Sequence, residues 1–389
     1  MSRDIVLLST ADWDNPFWTN KQHVAVELAR RGFRVLYVES LGLRRPTLKS
    51  RDLRRMSRRL VRAIRAPRQE RDNLWVWSPL ALPAHGRPWA RRFNRLLLRA
   101  GLSIWCRRLH LRPDVLWTYN PLSTELLTLA RFRTVVYHCV DELKSAPGMP
   151  REIIERTEAA LVRQADVIFA TAPNLVESRR QLNRNTHYFS NVADYEHFAQ
   201  ARHPATQIPH DLDRIPEPRI GFVGAVSGYK VDFSLLSRLA RAHPEWSIVL
   251  IGQVGEGDPW TDLSELTDLP NVHLIGPRPY SMLPAYLKGF RVGILPSVSN
   301  EYTASMFPMK FFEYLAAGLP VVSVNLPALR AHGDVARLAD TPEAFIEAVE
   351  REMADAGSSM ERRLAHAQRY TYSSRMDAML EILQRTAGR

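Results

Sequence analysis

The chain has 389 residues, 45% of them hydrophobic, with a formal net charge of +12 and two cysteines. That length exceeds what one core organises and divides naturally into two domains. No run reaches the roughly 20 uncharged apolar residues of a membrane span, the start Met1 to Leu8 lacks the apolar core of a signal peptide, and Cys106 and Cys139 form neither a disulfide framework nor a metal spacing. A cytoplasmic globular protein with two buried thiols is therefore expected.

The charge is uneven. Residues 1–200 carry 34 Lys and Arg against 19 Asp and Glu, a balance of +15, whereas residues 201–389 carry 19 against 22, a balance of −3. Between Arg44 and Arg112 stand 20 basic and 3 acidic residues. One face of the chain should meet something anionic.

Taken in order, Ile5–Leu8 reads as a strand, Asn20–Arg31 as a helix stopped by Gly32, and Arg34–Glu39 as a second strand. Strand, helix and strand within forty residues make a parallel doubly wound unit, which binds ligands beyond the carboxyl ends of its strands. The loop Asp12, Trp13, Asp14, Asn15, Trp18 falls at that end. Its tryptophans read either as caps on the core or, with the carboxylates and amide, as a sugar-binding lip.

Two arginine-rich helices follow. In Arg51–Ala66, Leu53, Met56, Leu60 and Ile64 share a face, and in the second stretch Trp89, Phe93, Leu96, Leu97 and Ile104 stand against Arg91, Arg92, Arg95 and Arg99. They read as surface helices, or as a pair lying on anionic lipid. Nucleic acid would also satisfy the charge, but no nucleic-acid motif accompanies it.

Strands resume at Val115–Tyr119 and Val135–Val140, the latter ending in Asp141 and Glu142. A carboxylate at a strand's carboxyl end serves as a general base when it reaches an acceptor hydroxyl. Asp141 is that candidate, with a helix cap or a solvated loop acid as the alternatives, while His138 reads as a core residue. A helix at Arg151–Gln164, a strand at Val167–Ala170 and a helix from Pro173 complete a first domain of residues 1–200. Residues 201–218 are the linker. A second domain, 201–370, is expected from strands at Ile220–Val223, Ser247–Ile251, Asn271–Leu274, Ile294–Pro296 and Val321–Val324.

Within it, the Gly224–Lys230 turn keeps the backbone open for a diphosphate. Pro308 suits the first position of a helix that Gly318 and Pro320 end. That leaves Lys310 and Glu313 on its first turn, either as a surface ion pair or as ligands for a phosphate and a sugar hydroxyl.

Four motifs together resemble a known family: Asn191-x-x-Asp194-x-x-x-Phe198, Ile220-Gly-Phe-Val-Gly224, Asn271-Val272 to Gly276 and Tyr280, and Pro308-Met-Lys310-Phe-Phe-Glu313 through Val322. The chain resembles GT-B glycosyltransferases of the family 4 (group 1) type, nearest the subgroup of teichuronic acid and exopolysaccharide assembly. The resemblance implies an α/β fold of two Rossmann-like domains facing a cleft, the first binding an acceptor and the second a nucleotide sugar, with residues 371–389 as a helix crossing back to the first domain. It implies no cofactor, a UDP- or GDP-linked sugar donor, and no metal.

By the same resemblance Glu313 binds the ribose hydroxyls, Lys310 the diphosphate, the backbone of residues 277–280 the base, and Gly224 faces the diphosphate, with Lys230, Arg278 and Tyr280 as further donor contacts. Two departures stand out. Ser305 occupies the position, eight residues before Glu313, where family 4 carries a second glutamate, and Val192 replaces a glycine. Residues 136–141 and the Met309-Lys310 pair also resemble the xanthan-type glucuronosyltransferases, in which the aspartate matching Asp141 is the base. The expected activity is transfer of a sugar to a hydroxyl of a glycan, lipid-linked, at the inner face of the plasma membrane. A sugar-nucleotide epimerase, a non-catalytic sugar-nucleotide scaffold and a nucleic-acid binder are the alternatives.

Overall fold

A computed structural model describes residues 3–15, 18–42, 66–82, 84, 87–355 and 359–387. These form two units, one ending at Phe189 and resuming at Met376, the other running Ser190–Arg375.

The first unit is built on β1 (Asp4–Leu8), β2 (Arg34–Val38), β3 (Arg68–Arg71), β4 (Leu74–Trp77), β5 (Val115–Thr118), β6 (Thr134–Cys139), β7 (Val167–Ala170) and β8 (Thr186–Tyr188). Their order is β3-β4-β2-β1-β5-β6-β7-β8, parallel throughout except for the β3–β4 hairpin. Short apolar runs such as Asp4–Leu8 and Val167–Ala170 are buried along their whole length, as expected of parallel strands covered on both faces by helices. The hairpin turns at Asn73, whose φ of 62° is tolerated by asparagine. Its outer strand, Arg-Gln-Glu-Arg, carries no apolar signal, and sequence reasoning passed over it.

Helices α1 (Asn20–Arg30), α2 (Pro88–Arg108), α3 (Arg151–Gln164) and α4 (Pro173–Arg180) connect these strands. The side chain of Gln22 accepts from the Thr19 amide at 3.1 Å and so closes the start of α1.

In the second unit β9 (Arg219–Val223), β10 (Ser247–Ile251), β11 (Val272–Leu274), β12 (Val292–Leu295), β13 (Val321–Val324) and β14 (Arg337–Ala339) form a parallel sheet in the order β11-β10-β9-β12-β13-β14. Around it lie α5 (Tyr195–Ala199), α6 (Phe233–Ala242), α7 (Leu283–Lys288), α8 (Glu301–Ala304), α9 (Lys310–Ala316), α10 (Pro342–Ala354) and α11 (Met360–Gln368). Residues 190–200, read from the sequence as part of the first domain, pack in this unit. The last helix, α12 (Tyr372–Ala387), begins here, and its Met376, Met379, Leu380 and Leu383 sit in the core of the first unit. Among the described residues no helix is long and apolar enough to cross a membrane.

Candidate functional site

Helix α9 is fixed by the sheet beneath it. The Tyr314 ring lies over β12 where Gly293 leaves room, since a Cβ there would stand 2.6 Å from it. The Tyr314 hydroxyl accepts from the Val223 amide at 2.8 Å, at the carboxyl end of β9. The helix begins at Lys310, two residues later than Pro308 suggested, because Pro308 serves a tight turn in which its carbonyl accepts from the Phe311 amide at 3.1 Å. At the other end Gly318 takes a φ of +87°. Arg202 donates to the Ala316 carbonyl at 3.2 Å and the buried Arg363 to the Gly318 carbonyl at 3.1 and 3.3 Å, so two cations satisfy the carbonyls where the helix dipole is negative.

On the first turn of α9 the Lys310 ammonium meets the Glu313 carboxylate at 2.5 Å. Their side chains are 18% and 2% exposed, so the carboxylate is buried and the ammonium half-buried. Lys310 also lies 6.0 Å from the centre of the Phe198 ring, and Phe198 packs edge-on against Tyr280. Tyr280 in turn stacks on His197 at 4.4 Å, and the His197 ring nitrogen bonds the Tyr280 carbonyl at 3.0 Å. Burial, reinforced by the Glu313 carboxylate, pushes the Tyr280 phenol well above its ordinary range.

Asn191 donates to the Phe307 carbonyl at 2.7 Å and holds the approach to α9, while Asp194 caps α5 by accepting from the His197 amide. The first and third sequence motifs therefore converge on the fourth, through contacts that spacing alone did not reveal.

The Gly224–Lys230 turn borders β10. A Cβ on Gly252 would fall 1.6 Å from the Gly224 carbonyl oxygen, so the two strand ends touch backbone to backbone. Lys230 lies over the rings of Tyr229 and Tyr302 at 5.2 and 5.3 Å. Asn300 caps α8 and donates to the Tyr229 carbonyl at 2.8 Å, tying this turn to the segment before α9. Arg278 is occupied differently from a free donor ligand, bonding Asp211 at 2.5 and 3.1 Å and the Tyr286 hydroxyl at 2.7 Å. Ser305 is buried in the turn after α8.

In the first unit Asp141 is half-buried just past the end of β6. Its neighbour Glu142 is buried and bidentately bonded to Arg179 at 2.7 and 2.9 Å, and Arg179 also reaches Glu158 at 2.8 Å. This buried network, which sequence reasoning missed, anchors the Asp141 backbone. Burial pushes the nearby Cys139 thiol up to about 12. His138 is fully buried, accepts from the Trp117 indole at 3.4 Å and stacks on Tyr119, as the core reading requires.

The loop after β1 divides its residues. Trp13 is 5% exposed, its ring packs on Tyr37 and Trp18, and its amide donates to the buried Glu39 at 2.6 Å. With no free ring face it is a core residue, and the sugar-stacking reading fails there. Trp18 is half-buried, Asp14 is exposed and paired with Arg68, and Asp12 and Asn15 are half-buried. Of the two basic helices, Arg51 to Arg65 lies outside the described residues, while the second is α2.

Two Rossmann-like units in one chain define the GT-B fold. Residues 217–355 match the family model described as "Glycosyl transferases group 1". TuaH, named as a teichuronic acid biosynthesis glycosyltransferase of Bacillus subtilis (strain 168), is 31% identical over 228 residues. That alignment takes in 55% of this chain and 56% of TuaH, so the chain spans about half the length of the curated relative it matches.

Among solved structures, sucrose-phosphate synthase from Thermosynechococcus elongatus aligns over 98% of both chains at 17% identity with a TM-score of 0.70. HepE of Anabaena, in complex with UDP and glucose, aligns over 98% of this chain and 99% of its own at 16% identity and 0.67. The trehalose-6-phosphate synthase of Burkholderia multivorans covers 100% of this chain and 99% of its own, at 14% and 0.67. The chain has the GT-B fold, and its residues 217–355 match the model of the group 1 glycosyl transferases.

Proposed function

We propose that the protein transfers a sugar from a nucleoside-diphosphate sugar, UDP- or GDP-linked, to a hydroxyl of a glycan. The observation that carries this reading is the Lys310–Glu313 pair, with its buried carboxylate, beside Tyr280. A buried ion pair is a weak source of stability. At the carboxyl end of a parallel sheet, where α/β proteins place their ligands, it is a pair of ligands held ready. Glu313 accepts from the ribose hydroxyls, Lys310 neutralises the diphosphate, and the Gly224–Lys230 backbone lies against it. The base is held by residues 277–280 with Tyr280. Arg278 and Lys230 act second to these, through Asp211 and the two tyrosine rings. The bound UDP and glucose of HepE support this donor class.

Asp141 is the proposed base. It takes the proton of the acceptor hydroxyl as that oxygen attacks the anomeric carbon, and the bond to the leaving diphosphate breaks with its electrons passing to the phosphate. Lys310 stabilises the charge that develops there. Asp12, Asp14, Asn15 and Trp18 form the acceptor lip. We place the reaction peripherally at an anionic membrane face, on a lipid-linked acceptor.

A thermal-shift panel of nucleoside diphosphates and their sugars tests the donor site, because binding to the native state raises the melting temperature. One nucleotide should stand out, and Glu313→Ala should abolish its shift. Release of that diphosphate should then require added acceptor, and Asp141→Asn should suppress it while leaving the thermal shift intact. A full-rate Asp141→Asn enzyme would remove Asp141 as base. Diphosphate release without acceptor would favour an epimerase.

A further inference from the structure

Helix α2 presents two faces, and the described residues bury one of them. Ala90, Asn94, Leu98 and Leu102 are buried, whereas Trp89, Phe93, Leu96 and Ile104 are 56%, 42%, 66% and 49% exposed. The exposed four recur at helical spacing and form one stripe along the helix. Six arginines and no acidic residue accompany them over the 21 residues. Arg92, Arg95 and Arg107 are exposed and Arg99 half-buried.

The rotation of the helix is not free. Asn94, 1% exposed, accepts from the Leu82 amide at 2.7 Å and donates to the Leu82 carbonyl at 2.9 Å. Two turns further on, Gly101 sits against Trp77, where a Cβ would stand 2.4 Å from the indole. Turning the stripe inward would break the first clasp and drive a side chain into the second. Sequence and packing thus keep an apolar stripe in water, at a cost that a soluble surface helix would avoid by the opposite rotation.

We infer that α2 is the membrane-contacting element of the protein. It lies in the plane of an anionic leaflet with Trp89, Phe93, Leu96 and Ile104 among the acyl chains and the flanking arginines at the headgroups. The occupant follows from charge. A second copy of this chain would bring like charge to like, and a nucleic acid would use the arginines but leave the apolar stripe in water. Only an anionic lipid surface satisfies both sets of side chains. The inference rests on the membrane placement proposed above and adds that apolar insertion, not charge alone, holds the protein there.

Vesicle co-sedimentation of the full chain tests it, with vesicles of neutral lipid alone or with about one third anionic lipid. Binding should require anionic lipid. The triple substitution Arg92/Arg95/Arg99→Gln should weaken it on the order of a hundredfold at low salt. Trp89→Ser with Leu96→Ser should weaken it by about tenfold or more while keeping the salt dependence. Lipids brominated in the acyl chain should quench the tryptophan emission, and Trp89→Phe should lose most of that quenching while still binding.

Full binding by the Trp89/Leu96 variant would overturn insertion. So would tighter binding to an oligonucleotide than to vesicles, or a concentration-dependent dimer that the same substitutions abolish. Transfer to a short soluble acceptor should be unchanged in every variant. In the unsubstituted protein, transfer without vesicle binding would overturn this inference alone, and vesicle binding without transfer would overturn the transferase reading alone.

Discussion

Replacing Lys310 by methionine leaves the Glu313 carboxylate, 2% exposed, without the ammonium that stands 2.5 Å away. Removing one partner of a buried pair costs about 3–5 kcal/mol, because the remaining charge keeps its desolvation penalty and loses its attraction. For a unit the size of Ser190–Arg375, at roughly 2–4 °C per kcal/mol, the melting temperature should fall by about 6–20 °C. Glu313→Gln is milder. Lys310 is 18% exposed and swings toward water, so the cost is that of one lost charge-assisted hydrogen bond, about 1.5–3 kcal/mol. The double variant places two neutral side chains of similar volume in the same space and should be more stable than Lys310→Met alone.

A double-mutant cycle by denaturant unfolding of the four proteins should therefore give a coupling of at least about 1.5 kcal/mol, in the range found for contacting residues. All three variants should lose the nucleotide-induced thermal shift. Additive single effects, agreeing within about 0.5 kcal/mol, would show that the two groups do not depend on one another. A stable double variant that still binds the nucleotide would show that the pair is structural and not a donor site.

Other consequences concern groups outside the donor contacts. The His332 and His366 rings bond to each other at 2.9 Å beneath Phe312 and Tyr370, and burial lowers both, His332 to about 4. The folded pair stays neutral while the unfolded imidazoles take up protons below about 6.5, so stability is present above that pH and is lost as pH falls toward 4. Circular-dichroism melts across this window should show the loss, and His332→Asn should flatten it. With Cys139 pushed up to about 12 and Cys106 to about 11, neither thiol is a thiolate near neutrality. A thiol reagent at pH 7.5 should titrate essentially none in the folded protein and two after denaturation. Tyr314→Phe strips the acceptor from the buried Val223 amide and should cost about 1–3 kcal/mol, read by denaturant unfolding.

Most of the parallel strands were legible as short apolar runs closed by a turn residue, and most of those fell within a residue of their expected limits, whereas the parallel strands β4, β8 and β14 were not read from the sequence. Elements whose residues do not look like their environment escaped as well. Strand β3 is Arg-Gln-Glu-Arg because it is an exposed hairpin edge. The phase of α2 misleads for a related reason: its buried stripe contains Asn94, while the apolar residues that dominate its periodicity face outward. Trp13 and Trp18 illustrate a different limit, since a tryptophan suits a core and a sugar site equally in composition. Packing on Tyr37 and the bond from the Trp13 amide to Glu39 decide between them.

Lys310 and Glu313 were visible as a pair, but the burial of the Glu313 carboxylate was not. It arises from residues far away in the chain. Asn191 fixes the Phe307 carbonyl, Phe198 underlies the ammonium, and His197 supports Tyr280, so motifs spread from residue 191 to residue 322 are the wiring of one small polar cluster. The same wiring bears on Ser305. It sits buried in the turn after α8, whose cap Asn300 also holds the Gly224–Lys230 turn, and the nearest acid, Glu301, is exposed one turn earlier on that helix. Glu301 cannot stand in at position 305 without unwinding α8 and releasing that turn. On the proposed reading, a chain without the second carboxylate draws its acid–base chemistry from elsewhere. Asp141, just past the end of β6 and next to the buried Glu142–Arg179 pair, is the carboxylate we propose for it.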